Sequence, residues 1–175
     1  PESAHNSIAK KGQGRNSLAE SRDSVSGGVK GQRPLRLLII GRNITMRTHS
    51  PNETRELAKR LAKELRRGDV LLLWGDLGAG KSEFTRGLAQ GLGVTATVTS
   101  PSFTILNVYD DGRIPLYHFD WYRLNSVEEL YEMGMEEFLG GDGVAVLEWP
   151  SQCPEAIPET HLAIRLTPVL SLIHI

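Results

Sequence analysis

Gly75-Asp76-Leu77-Gly78-Ala79-Gly80-Lys81-Ser82 is the stretch that decides how this chain folds. It satisfies G-x-x-x-x-G-K-[ST], the phosphate-binding loop, and its flanks suit it. An apolar strand-like run, 70–74, leads in, and a helix-like run, 82–92, leads out. Glycines at 75, 78 and 80 open backbone conformations closed to residues with a Cβ, so successive N–H groups can turn inward on phosphate oxygens. The helix beginning there adds unpaired N–H groups and the positive end of its dipole. Asp76, Gly78, Ala79, Gly80, Lys81, Ser82 and the following Glu83 are therefore the candidate nucleotide-binding residues of the loop. Lys81 is expected to reach the β- and γ-phosphates as a point charge, and the Ser82 hydroxyl to ligate Mg²⁺.

Upstream of the loop, Ser50-Pro51-Asn52-Glu53 has the form of a helix start: a capping serine, proline in the first helical position and a glutamate closing the box. Leu57, Ala58, Leu61, Ala62 and Leu65 then recur at helical spacing, and Gly68 is the expected end. Phe84, Leu88, Ala89 and Leu92 mark the buried face of the helix after the loop, which Gly91 and Gly93 are expected to close.

Downstream, Ser100-Pro101-Ser102-Phe103-Thr104 is rich in hydroxyls. One reading makes Ser102 and Thr104 sensors of the terminal phosphate; the other makes the stretch a Ser-Pro turn entering a strand at 103–109. Asp110-Asp111-Gly112-Arg113 signals a turn, so 103–109 and 114–119 are expected to form a hairpin. The second strand ends in His118-Phe119-Asp120. An acid at that tip is where a Mg²⁺-holding aspartate belongs, whereas His118 reads as structural, with no second His or Cys at ligand spacing. A capping box at Ser126-Val127-Glu128-Glu129 opens an acidic helix with Leu130, Met133, Phe138 and Leu139 as its buried side. Val144-Ala145-Val146-Leu147 reads as another buried strand. The Glu148 that follows is either a solvated strand-end carboxylate or a group that ligates Mg²⁺ or orients an attacking water. A last strand is expected at 161–166.

With 175 residues the chain has material for one domain and too little for two. Its single cysteine, Cys153, excludes an internal disulfide framework and a Cys-rich zinc site, and suits a reducing setting. No apolar run has the length of a membrane span, and 35–40 is too short for a signal-peptide core, so a cytoplasmic protein is expected. Residues 1–45 hold eight Lys/Arg against three acids, which leaves twelve basic and eighteen acidic residues in 46–175. Charge alone will not hold that acidic part on nucleic acid. The first 33 residues are polar and without hydrophobic period, and are read as disordered. They are read as a solvated tail or a basic arm for nucleic acid, or else residues 1–45 are upstream sequence read in frame before a natural start at Met46, the first methionine.

Taken together, the loop, Ser100-Pro101-Ser102-Phe103-Thr104, Tyr117-His118-Phe119-Asp120 with Tyr122-Arg123-Leu124, and Glu148-Trp149-Pro150 make the chain resemble the TsaE family, also called YjeE, over 46–166. The resemblance implies an α/β fold of the P-loop NTPase kind, three layers around a mixed, mainly parallel sheet. It also implies ATP and Mg²⁺ binding, slow hydrolysis, and work beside TsaB and TsaD proteins in making threonylcarbamoyladenosine in tRNA. TsaD transfers the threonylcarbamoyl group, TsaE supports its turnover, and tRNA is met through the complex. By the same resemblance Ser82 and Glu148 contact Mg²⁺, Pro51 lies near the nucleotide and Asp120 is needed for activity; the catalytic set it points to is Glu148, Asp120 and Lys81. Ser82 and Ser102 stand where many members have threonine, which keeps the hydroxyl. Residues 1–45 have no family counterpart, and members usually continue past 166, so 167–175 reads as a shortened tail that lacks a C-terminal strand and part of the nucleotide-binding surface. Two rival functions share the loop. A small-molecule kinase would close an Arg-rich lid, yet after Arg86 only Arg113, Arg123 and Arg165 remain. A nucleotide-gated binding module would use the same motifs without turnover.

Overall fold

Four successive apolar residues, Val70 to Leu73, suit a strand covered on both faces. The computed structural model, which describes residues 44–168, places them in β1 (Val70–Trp74), inside a five-stranded sheet of order β2-β3-β4-β1-β5. Its other strands are β2 (Leu106–Tyr109), β3 (Leu116–Asp120), β4 (Val144–Glu148) and β5 (Leu162–Arg165). β1 runs parallel to β4 and β5, and β3 parallel to β4; only the β2–β3 hairpin is antiparallel. This is the mixed, mainly parallel α/β architecture expected from the sequence.

Two helices, α1 (Pro51–Ala62) and α2 (Lys81–Leu92), cover one face of the sheet. Leu71, Leu73, Leu116, Val144 and Val146 meet Ala58, Ala62, Phe84, Leu88 and Leu92 there. The other face, with Val70, Leu72, Phe119, Ala145 and Leu147, is covered by α3 (Val127–Glu132), the 3₁₀ turn Met135–Glu137 and Trp121. Each fully buried Leu or Val contributes about 1.5–3 kcal/mol of transfer free energy. Because strand side chains alternate, the even-numbered positions of β3 and β4 all look toward α2. His118, Asp120 and Glu148 therefore share the face on which the loop helix lies.

α1 and α2 pack backbone to backbone. A Cβ at Gly87 would collide with the Arg55 carbonyl oxygen, and one at Gly91 would lie 2.5 Å from that of Lys59. Gly91 thus sits within α2 as a contact, and Gly93, in the left-handed conformation, is the residue that ends it.

Other boundaries differ from expectation for local reasons. α1 ends at Ala62, six residues before Gly68: the turn tightens to i→i−3 hydrogen bonds at Glu64 and Leu65, and the Arg113 guanidinium takes the carbonyls of Ala62 and Leu65. The capping serine is in place, but the Glu53 carboxylate accepts from the His49 N–H. Residues 103–105 turn rather than extend: Thr104 and Ile105 donate to the Pro101 carbonyl, Ile105 has φ 65°, and Phe103 is 86% exposed. In the acidic stretch Met135, not Met133, fills the core, because the helix stops at Glu132 and Gly134 reverses the chain in the left-handed region. The readings of 1–45 and 167–175 fall, apart from residues 44–45 and 167–168, outside the described residues.

Candidate active site

The loop leaves the tip of β1 and feeds α2. Gly78 and Gly80 have φ of +78° and +98°, values that a side chain would resist. Gly80 is the N-cap of α2 and offers no side chain to it, so the first N–H groups of the helix remain available to an anion. Lys81 opens the helix and is buried. Its Nζ donates to the carbonyls of Gly75 at 2.7 Å and Asp76 at 2.9 Å, and lies 3.9 Å from the centroid of the Trp149 ring. Burial pushes this ammonium below its ordinary pKa of 10.5, against the opposing pull of Glu148, Asp120 and Asp76.

Two strand tips supply the acids. Asp120 ends β3 and Glu148 ends β4, and they are register partners across a parallel ladder. Glu148 Oε1 accepts from the Ser82 hydroxyl at 3.2 Å and stands 2.9 Å from His118 Nε2. Asp120 Oδ2 accepts from Ser102 at 2.5 Å and Ser100 at 3.3 Å, while its Oδ1 accepts the Tyr122 N–H at 3.0 Å. Both carboxylates are nearly closed from bulk solvent yet open into one pocket, lined by Leu77, Gly78, Gly80, Lys81, Ser82, Ser100, Ser102, Asp120, Tyr122, Glu148 and Trp149.

Of the residues singled out from the sequence, Gly78, Gly80, Lys81, Ser82, Ser102, Asp120 and Glu148 converge on this pocket. Asp76 and Ala79 belong to the loop without lining it. The Glu83 carboxylate is held between Arg55 of α1 and Arg86 of α2. Pro51 is exposed at the start of α1, and Thr104 donates to the Asn107 side-chain oxygen at 2.9 Å, so neither lines the pocket. Sequence patterns assigned no role to Trp149, whose ring lies against the lysine, or to Tyr122, whose ring packs tilted on Trp149 at 4.9 Å between centroids, and they marked His118 as structural. An aromatic residue directly after a strand-end acid was the available signal for Trp149, which takes a left-handed φ of 59°.

Among the described residues no three His, Cys, Asp or Glu side chains form a metal cage by themselves. The donors that do meet, a hydroxyl and strand-tip carboxylates, are hard oxygens beside a phosphate-binding loop. Such a set fits Mg²⁺, which is held by one or two carboxylates and completes its shell with phosphate and water.

The family model for "Threonylcarbamoyl adenosine biosynthesis protein TsaE" matches residues 48–170. The tRNA threonylcarbamoyladenosine biosynthesis protein TsaE of Bacillus subtilis is 46% identical over 123 residues, 70% of this chain and 77% of that protein. The TsaE protein of Treponema pallidum is 41% identical over 119 residues, 68% of this chain and 87% of its own length. Among solved structures, Bacillus subtilis YdiB aligns with a TM-score of 0.62 at 42% identity, over 71% of this chain and 76% of that one.

Proposed function

Because this chain belongs to the TsaE family of threonylcarbamoyladenosine biosynthesis proteins, we propose that it is the Mg²⁺-dependent ATPase of that pathway, acting in the cytoplasm beside TsaB and TsaD proteins. The observation that supports this reading best is the 3.2 Å contact between the loop hydroxyl, Ser82, and the strand-tip carboxylate, Glu148. It joins a triphosphate cradle to a group able to manage the attacking water.

In this mechanism the loop N–H groups and the start of α2 receive the β- and γ-phosphates. Lys81 exchanges the Gly75 and Asp76 carbonyls for phosphate oxygens and steadies the charge that spreads over the transferring group. Bound Mg²⁺ would supply further neutralisation of the phosphates, with Ser82, Glu148 and Asp120 as the residues to hold it. Glu148 orients the attacking water, and Asp120, tied by Ser100 and Ser102, links the 100–104 segment to the terminal phosphate. Positioning and electrostatics account for the catalysis, without covalent chemistry by the protein. Given the excess of acids in 46–175, tRNA is met mainly through the partner proteins.

The test is ATP binding and hydrolysis by the native chain with and without Mg²⁺, alone and with TsaB and TsaD. Mg²⁺-dependent binding and slow turnover that rises with the partners are expected. A chain that binds ATP but stays inert in every arm is a nucleotide-gated module instead. One that phosphorylates a small molecule is a kinase.

A further inference from the structure

His118 lies fully buried on the α2 face of β3, paired in register with Val146, two residues before Glu148 on the same face of β4. Leu116, Val144 and Val146 on its inner side are apolar, and Asp120 and Glu148 lie toward the strand tips. A leucine would fill such a position without bringing a polar ring into the core. The ring instead reaches diagonally along the ladder, and its Nε2 stands 2.9 Å from Glu148 Oε1. Its other nitrogen, Nδ1, is buried with no hydrogen-bond partner among the described residues. The two ring atoms are therefore unequal: one serves the site, and the other is left unmatched in the core. A carboxylate oxygen accepts, so a hydrogen bond across this contact needs the proton on the nitrogen that faces it.

We propose that His118 is a positioning residue for Glu148: its Nε2–H, together with the Ser82 hydroxyl, fixes Oε1 and so holds the second carboxylate oxygen toward the pocket. Both protein donors go to the same oxygen. A carboxylate pinned at one oxygen by two donors from different elements, β3 and α2, keeps one rotamer while the other oxygen stays available to water or metal. This rests on the reading of Glu148 as the water-orienting acid of an ATPase, and assigns that acid its support.

Three substitutions and one spectroscopic measurement test it. In H118Q the amide nitrogen replaces Nε2 at similar reach; H118N is too short to meet Glu148; H118L fills the volume and donates nothing. With the native chain turning over Mg²⁺-ATP, H118L and H118N should lower kcat by about tenfold to a hundredfold with little change in KM, the range for losing the partner that orients a site carboxylate or ligand. H118Q should recover most of that loss. Mn²⁺ binding to the ADP-loaded protein, followed by electron paramagnetic resonance, should weaken in H118L in the same order. In the nucleotide-free native protein, long-range ¹H–¹⁵N correlations should show a proton on Nε2, a result that stands even if the variants do not fold.

An H118L protein turning over at the native rate overturns the proposal, as does an H118Q protein as impaired as H118L, or a proton found on Nδ1 alone. A native chain that neither binds nor hydrolyses ATP overturns instead the reading beneath it. The two failures are thus distinguishable.

Discussion

Burial and charge pull Lys81 in opposite directions, and burial prevails: the ammonium loses its proton more easily than an exposed lysine, despite Glu148, Asp120 and Asp76 nearby. Its charged form is therefore disfavoured by the nucleotide-free fold, a cost present at neutral pH that fades as pH rises through the lowered pKa. In the proposed ATPase a bound triphosphate would reverse the balance by offering negative charge at short range. ATP affinity should then fall as pH climbs through that lowered pKa, below the ordinary 10.5, with proton uptake on binding in the same window. Lys81→Arg should flatten the profile there, since a guanidinium stays charged. Lys81→Ala should weaken ATP binding by about 2–5 kcal/mol in calorimetry, as expected when one member of a buried charge pair is cut away.

At the scale of elements, what the sequence disclosed and what it withheld divide along local and long-range physics. The loop, β1 and α2 were legible because their signals are contiguous: a buried run, three glycines, a lysine and an amphipathic helix. Asp120 and Glu148 were legible as strand-end acids. Which of them meets Ser82 was not legible from residue patterns, and only the family resemblance paired Ser82 with Glu148, since the contact depends on the β3–β4 register and on Ser100 and Ser102 engaging Asp120. Gly91 looked like a helix end because spacing cannot show that α1 crosses at that point. Gly87→Ala tests the crossing: with the Arg55 carbonyl in the way, overpacking should cost about 1–3 kcal/mol, seen as a lower denaturation midpoint with unchanged slope. The segment after α2 is held by Asp111, whose carboxylate accepts from the Thr95 hydroxyl and from the N–H groups of Thr95 and Ala96. The Thr95 hydrogen bonds lower its pKa below the ordinary 3.8. A lowered carboxylate pKa contributes stability above the unfolded value that is lost as pH falls through the folded one. Asp111→Asn should therefore remove part of the acid sensitivity below about that value in a pH series of thermal melts.

Across the whole molecule, the sheet order β2-β3-β4-β1-β5 sets β4 between β1 and β3. The loop and both acids emerge at the same edge because β1, β3 and β4 run parallel. That placement follows the general rule that open α/β sheets bind ligands beyond the carboxyl ends of their strands. Among the described residues no helix is long and apolar enough to cross a membrane. The order of strands lay beyond the sequence, because a parallel neighbour is set by packing over long separations and leaves no local mark. The family motifs were readable because each is short and each sits at a strand tip or loop.

Glu148→Gln tests the proposed active centre most directly, with ATP affinity and ATP turnover measured on the same preparation. The substitution keeps the side chain's size and an oxygen for the Ser82 hydroxyl while removing the carboxylate charge. ATP should still bind, and turnover should fall on the order of a hundredfold or more. A Glu148→Gln protein that hydrolyses ATP at the native rate would contradict the role given to this carboxylate.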